Sequence, residues 1–109
     1  MDELLLSKVR LGVVAELLSF DWIAFSELAR SLDVSNGNLG AHMTKLVDAG
    51  YVEEEKTFVK RRPLTRYRLA KRGRDAFAAH VAQLQTLLKS ATGARGPAAG
   101  SMTSPGAGV

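Results

Sequence analysis

The sequence of 109 residues predicts a mainly α-helical domain with one small β-hairpin, an α+β fold. Two observations favour this class. Apolar residues recur at helical spacing in several segments of residues 1–90. Two short alternating segments, YVEEEKTFV and TRYRLA, flank the basic turn KRRPL, whose proline suits a turn. The domain is expected to span 1–90, followed by a Gly/Ala/Pro-rich tail of 91–109 that is expected to be disordered.

Cysteine is absent from the chain, which excludes disulfides, thiolate metal sites and a cysteine nucleophile. The two histidines, His42 and His80, lie far apart, and neither has the spacing of a metal ligand set. We therefore expect no metal, no cofactor and no enzymatic activity. The start, MDELLLSK, fits neither a signal peptide nor a transmembrane segment, so a cytoplasmic protein without a membrane partner is expected.

Charge is distributed unevenly along the chain. Residues 1–55 contain four basic and ten acidic side chains, whereas residues 56–109 contain eleven basic side chains and one acid, Asp75. Nine of those eleven lie between Lys56 and Arg74. Such a concentration of positive charge is typical of a contact with nucleic acid or an anionic membrane. The alternative is a solvated face that keeps the protein soluble.

The first helix is predicted over residues 3–19, and it is apolar at nearly every angular position. A helix of this kind must be buried on more than one side. In so small a domain, one side can face its own core and the other a partner subunit, which is a first indication of a dimer. The two apolar stripes are Leu4, Leu11, Val14 and Leu18, and Leu5, Val9, Val13 and Leu17.

Two short helices are predicted next. After a small strand in DWIAF, Ser26 is expected to cap a helix that runs through Leu32. Ser35 is expected to cap the following helix, which Gly50 ends. Leu39, Met43 and Leu46 form the core face of that second helix. Two helices joined by a short turn form a helix-turn-helix, and a basic hairpin directly after them gives the layout of a winged helix.

The last helix is predicted over residues 71–90, with apolar residues at a spacing of 4-3-4 that is typical of a coiled coil. The alternative is packing of this helix onto its own domain. The predicted fold is thus a winged helix-turn-helix with a C-terminal dimerisation helix. We expect the dimer interface to contain Leu5, Val9, Val13, Phe77, Val81, Leu84 and Leu88. His80, on the same last helix, is expected at the surface or in this interface.

Residues 9–74 resemble the compact winged-helix transcriptional regulators of the MarR and ArsR type. The resemblance is carried by VRLGVVAELL, by FSELARSLDVSNGNLGAHMTKLVDAGYVE and by FVKRRPLTRYRLAKRGR, which together cover about two thirds of the chain. It implies a homodimer that binds double-stranded DNA, with its basic hairpin, the wing, on the minor groove. The resemblance also implies a histidine at the position of His42 in the family.

The second helix of the pair is the expected recognition helix. Asn36 and Asn38 are candidates for contact with base edges, since asparagine can pair with adenine. Asn38 could instead bond back to the cap, and His42 could reach a phosphate or bond to backbone. The complete set of candidates on this helix is Ser35, Asn36, Asn38, Ala41, His42 and Lys45.

The wing supplies the remaining candidates. Lys60, Arg61 and Arg62 are expected at its tip, where a narrow minor groove attracts arginine. Arg66 and Arg68 could contact DNA or could instead pair across the strands with Glu53, Glu54 or Glu55.

The function that these features favour is a dimeric regulator on a pseudo-palindromic operator, with the recognition helix in the major groove. The alternative is a winged-helix interaction module that does not read DNA and whose basic wing docks an acidic partner. A small-molecule effector, which MarR-like proteins suggest, is unknown because no residue marks a site for one.

Overall fold

The computed structural model describes residues 2–92. It confirms the predicted class, with helices around a small three-stranded antiparallel sheet. The chain divides into two compact units, Met1–Ala78 and Ala79–Val109. In chain order, a 3-10 helix at Glu3–Leu6 precedes α1 (Lys8–Ser19), β1 (Ile23–Ala24), α2 (Phe25–Leu32), α3 (Asn36–Asp48), β2 (Val52–Val59), β3 (Arg62–Leu69) and α4 (Lys71–Ala91).

The first predicted helix, residues 3–19, is interrupted at Ser7. The backbone of Ser7 is extended, and its hydroxyl oxygen accepts a hydrogen bond from the Arg10 N–H at 3.2 Å. Serine competes for backbone donors in this way, so it begins a new helix more readily than it continues an old one. The expectation of one continuous helix was therefore wrong, and the segment forms a 3-10 turn followed by α1.

Helix α2 begins two residues earlier than predicted. Its N-cap is Ala24, and Ser26 lies inside the first turn, so the expectation that Ser26 caps the helix was wrong. The Glu27 carboxylate instead accepts a hydrogen bond from the Ala24 N–H at 3.3 Å. The helix ends at Asp33, which adopts a left-handed conformation with φ of 55°. The predicted pair of helices with a short turn is present.

Helix α3 has the predicted caps. The Ser35 hydroxyl accepts a hydrogen bond from the Asn38 N–H at 3.2 Å. At the other end, Gly50 has φ of 77°, and the Tyr51 N–H donates to the Leu46 carbonyl at 3.0 Å. This is the arrangement of a Schellman C-terminus, which requires the left-handed residue that glycine supplies. The predicted core residues Leu39, Met43 and Leu46 are all buried.

The strands of the sheet lie in the order β1-β3-β2. Strands β2 and β3 pair from Val52 with Leu69 to Val59 with Arg62. Only Lys60 and Arg61 therefore form the turn, so the longer predicted turn KRRPL was wrong at its C-terminal end. A two-residue connection is compatible with long strands because both turn residues adopt positive φ values.

The core contains two residues that the sequence assigned to the dimer interface. Leu5 is 1% exposed and Val13 is 0% exposed within the single chain. Their side chains have no surface left for a second chain, so that assignment was wrong for both. Most of the second apolar stripe is buried in the core. The break at Ser7 lets the 3-10 turn fold back, so Leu5 packs beside α1.

The other residues assigned to the dimer interface lie on or near the surface. Val9 and Phe77 are half-buried and pack against the core. Val81 and Leu84 are half-buried, and Leu88 is 61% exposed. His80 was expected at the surface or in the dimer interface. It is only 2% exposed, so that expectation was wrong.

We predict that Gly73→Ala destabilises the protein. A Cβ atom at Gly73 would lie 2.2 Å from the Tyr51 carbonyl oxygen, which already accepts a hydrogen bond from the Ala70 N–H at 2.9 Å. Overpacking of this kind lowers the free energy of unfolding by about 1–3 kcal/mol, which urea titration measures. The control is Gly37→Ala, whose Cβ meets nothing within 4 Å. A midpoint for Gly73→Ala equal to that of the wild type would contradict the close contact.

Candidate nucleic-acid interface

One face of α3 is turned to solvent because the opposite face is anchored in the core. Leu39 and Leu46 are 0% exposed and Met43 is 1% exposed, which fixes the rotation of the helix about its axis. The exposed residues of the helix are Asn36, Gly37, Asn38, Ala41, Thr44, Lys45 and Asp48. Every candidate on the helix except His42 therefore lies at the surface, including Ala41 and the cap residue Ser35.

The two asparagines at the start of α3 have unused side chains. Asn38 donates its backbone N–H to Ser35, but neither its amide nor that of Asn36 bonds to another described residue. The local alternative for Asn38, a bond back to the cap, is absent from the structure of residues 2–92. Both amides are therefore available for an external partner, and an asparagine amide matches the N6 and N7 atoms of adenine.

Near its N-terminus, α3 contains two glycines, so its surface there has little side-chain bulk. A Cβ atom built on Gly37 or on Gly40 would meet nothing within 4 Å. The fold therefore does not need glycine at these positions, and each glycine destabilises the helix by about 1 kcal/mol relative to alanine. What the glycines provide is a helix surface to which a large ligand can approach closely.

His42 lies at the edge of this face and is half-buried. Its Nδ1 atom is 2.8 Å from Nη1 of Arg10 on α1. The expected alternative, a bond from His42 to backbone, is replaced by this side-chain contact. Partial burial, followed by the positive charges of Arg10 and Lys45, lowers the pKa of His42 below its usual value. The ring is therefore neutral at physiological pH.

A groove of about 460 Å³ separates α3 from the hairpin. It is lined by Gly40 and Thr44 from α3, by Lys56 from β2 and by Thr65 from β3, among others. Lys56 is exposed and makes no ion pair with another described residue. The sequence prediction missed it. Strand alternation could have found it, since Lys56 is four residues after the buried Val52 and so shares its face of the sheet.

The tip of the hairpin is basic and conformationally strained. Lys60 and Arg61 have φ of 51° and 67°, in the region that asparagine and glycine occupy in two-residue hairpins. For other L-residues this conformation costs about 1–2 kcal/mol each. Lys60, Arg61 and Arg62 are exposed, as predicted. Phe58 beside them is 72% exposed.

Arg66 and Arg68 have internal partners. Arg66 pairs with Glu55 at 2.6 Å and Arg68 pairs with Glu53 at 2.8 Å. The ring of Trp22 lies 4.6 Å from the Arg66 guanidinium and 4.7 Å from that of Arg68. The cross-strand alternative is thus present for both, and contact of Arg66 with DNA stays a prediction. These half-exposed ion pairs contribute little by charge alone, so the stacking on Trp22 is the larger structural role.

Two other kinds of site were searched for within residues 2–92. No group of three or more histidine, cysteine, aspartate or glutamate side chains is placed to hold a metal ion there. No helix in that part of the chain is long and apolar enough to cross a membrane.

We predict that K60N/R61G stabilises the hairpin. Asparagine and glycine adopt the positive φ values of the turn without strain, so the free energy of unfolding should rise by about 2–4 kcal/mol, measured by urea titration. The matched control is K60Q/R61Q, which removes the same two charges but keeps strained residues in the turn. If both double variants gain stability equally, the effect comes from relief of charge repulsion and the strain interpretation is wrong.

The chain was compared with known proteins. A family model described as a winged helix DNA-binding domain matches residues 9–88. An uncharacterized protein of Methanocaldococcus jannaschii is 32% identical over 84 residues, which cover 77% of this chain and 91% of the relative.

Solved structures show the same fold. A transcriptional regulator homologue from Pyrococcus horikoshii OT3 has a TM-score of 0.76 and 27% identity, over 82% of this chain and 88% of that one. A regulator of the MarR family from Enterococcus faecalis V583 has a TM-score of 0.64 and 22% identity, over 82% and 79% of the two chains, which shows the fold alone. The predicted winged-helix family is thus confirmed: the chain belongs to the winged helix DNA-binding domain family, and regulators of the MarR and ArsR type share its fold.

Proposed function

We propose that the protein is a transcriptional regulator that binds double-stranded DNA as a homodimer and prefers a pseudo-palindromic operator. The observation that carries the proposal is the exposed face of α3. It presents two asparagine amides that have no partner among residues 2–92, on a helix whose rotation is fixed by three buried side chains. A helix of this kind fits the major groove, where side chains from its first turns contact base edges.

The contacts on α3 divide by chemistry. Asn36 and Asn38 are the base readers. The Ser35 hydroxyl and the free N–H groups of the first turn suit a phosphate, since a helix N-terminus carries partial positive charge. Lys45 is exposed on the same side and adds a second positive contact. Asp48 lies farther along the exposed face, where its charge repels phosphates, so the contact with the groove ends near Lys45.

The groove between α3 and the hairpin fits one strand of the DNA backbone. Its walls carry the hydroxyl of Thr65 and the ammonium group of Lys56, and the Glu54 carboxylate in the same groove accepts a hydrogen bond from the Tyr67 hydroxyl at 2.9 Å. Hydroxyl and ammonium groups are common phosphate ligands. With the backbone in this groove, the exposed tip of the wing reaches the adjacent minor groove, where Lys60, Arg61 and Arg62 meet its negative potential.

The proposed dimer places α4 against α4 of a second copy. Val81, Leu84 and Leu88 recur at the spacing of a coiled-coil stripe, and Leu87 and Leu88 are 55% and 61% exposed in the single chain. These exposed leucines give a second copy an apolar surface to pack on, and their burial favours association. Val9 and Phe77 remain proposed contributors because each is only half-buried.

The deciding experiment is selection of bound fragments from random-sequence DNA, with the mass of the protein and of its complex measured in solution. We expect an enriched pseudo-palindrome with half-sites about 34 Å apart and a complex that contains two chains. Contact with about six phosphates predicts a slope near −5 for log K against log salt. Binding without any sequence enrichment would favour the interaction module and count against this proposal.

We predict different effects for Arg62→Ala and Asn38→Ala. The first removes a charge from the wing tip, so it should weaken binding on all sequences and lower the salt slope by about 1. The second should reduce mainly the preference for the selected sequence, because it removes a base contact. Arg68→Ala is the matched control for charge, since Arg68 already pairs with Glu53. A slope lowered equally by Arg62→Ala and Arg68→Ala would show that the tip has no special role.

We predict that Gly37→Ala and Gly40→Ala raise stability and lower DNA affinity. Each should add about 1 kcal/mol to the free energy of unfolding, because the new methyl group meets no other atom and alanine is the better helix former. Each should weaken binding because the helix can no longer approach the groove as closely. Gel shifts on the selected duplex measure the affinity, and urea titration measures the free energy of unfolding. A gain in stability with unchanged affinity would contradict the close approach.

A further inference from the structure

Arg10 connects the N-terminal segment to the recognition helix. Its Nε–H donates to the carbonyl oxygen of Leu4 in the 3-10 turn at 2.7 Å, and its Nη1 lies 2.8 Å from Nδ1 of His42. The Arg10 backbone N–H is itself held by the hydroxyl of Ser7. One guanidinium thus bridges two elements, and its own position is fixed at both the backbone and the side chain.

The chemistry of this contact determines where the proton of His42 lies. A guanidinium has only donors, so Nδ1 of His42 must be the acceptor in the pair. A neutral imidazole that accepts at Nδ1 carries its hydrogen on Nε2. Protonation of Nδ1 would place two donors 2.8 Å apart and is therefore disfavoured. The lowered pKa of His42 agrees with a neutral ring.

The Nε2 atom of His42 is at least partly accessible to solvent. It has no hydrogen-bond partner among residues 2–92. In that part of the chain, the only fully buried side-chain nitrogen or oxygen without a partner is Nδ1 of His80, so Nε2 of His42 is not fully buried. His42 also follows Asn38 by four residues and precedes Lys45 by three, and both neighbours are exposed. Residues at these spacings lie on one side of a helix. The Nε2–H group therefore extends the edge of α3 that carries Asn38 and Lys45.

We propose that Arg10 is a positioning residue that fixes the tautomer and orientation of His42, so that the neutral Nε2–H group donates a hydrogen bond to a DNA phosphate. This inference rests on the proposed function for its ligand, but the arrangement of Arg10 and His42 is a property of the free protein. The contact to phosphate uses a neutral donor beside the charged Lys45, so it adds direction to the binding without adding charge. Arg10 contributes from α1, outside the helix-turn-helix.

The first experiment uses the free protein. Nitrogen NMR of His42 in the full chain should show a protonated Nε2 and an unprotonated Nδ1 that accepts a hydrogen bond. Arg10→Met should abolish that hydrogen bond and raise the pKa of His42, because a neighbouring positive charge is lost. Arg10→Lys is the control that keeps the charge but lacks the planar fork that bridges Leu4 and His42. A proton found on Nδ1 in the wild type would overturn the inference.

The second experiment measures affinity for a duplex that the wild type selects from random DNA. In His42→Gln the amide lies near the place of Nε2 and can still donate, so binding should stay within about threefold of the wild type. In His42→Asn the shorter side chain reaches only the place of Nδ1, so binding should weaken about tenfold, as expected for loss of one hydrogen bond to a charged group. The salt slope should be equal in both variants, because a neutral donor displaces no counterion.

The outcomes separate this inference from the proposed function. If the wild type selects DNA and His42→Asn binds as tightly as His42→Gln, the role of His42 at a phosphate is overturned. A salt slope lowered by about 1 in His42→Asn would mean that His42 acts as a cation, which overturns the neutral donor. If the wild type binds no DNA, the proposed function fails and the phosphate contact with it, while the NMR result still decides whether Arg10 sets the tautomer.

Discussion

The proposed interface depends on the burial of one stripe of α3. Leu39, Met43 and Leu46 are together almost inaccessible to solvent, and they determine which side chains of the helix face outward. Successive residues in an α-helix differ by about 100° in direction, so a shift of the stripe by one residue would turn Asn38 away from the exposed face. The hydrophobic core thus sets the direction of the asparagines that are proposed to contact bases before any ligand is present.

At two places that the proposed ligand would contact, the residues present make the fold less stable than other residues would. The glycines of α3 are not required by packing, and the wing tip places lysine and arginine where asparagine and glycine would fit without strain. Local choices that oppose the fold are expected at functional sites. One place lies on α3 and the other at the end of the hairpin, and both belong to the surface that is proposed to contact DNA.

The sequence predicted most of the fold because its signals are local. The cap at Ser35, the stop at Gly50 and the alternation of the hairpin each depend on a few neighbouring residues. The errors arose where two local signals competed: Ser7 interrupts an apolar run, and the burial of Leu5 follows from that break. In the site, the exposed candidates on α3 could be predicted by helical periodicity. The pairing of Arg10 with His42 could not, because it joins residues 32 positions apart.

The structure also changes what the net charge means. The sequence shows nine basic residues between Lys56 and Arg74 as one block. In the fold, Arg66, Arg68 and Lys71 each have a carboxylate partner within 2.8 Å. The other six make no ion pair with another described residue: Lys56, Lys60, Arg61, Arg62, Arg72 and Arg74. An ion-paired side chain has less to gain from a phosphate, since it must first lose its own partner. The electrostatic part of the proposed DNA binding therefore follows from the basic side chains that have no ion pair among residues 2–92, and a count of basic residues overstates it.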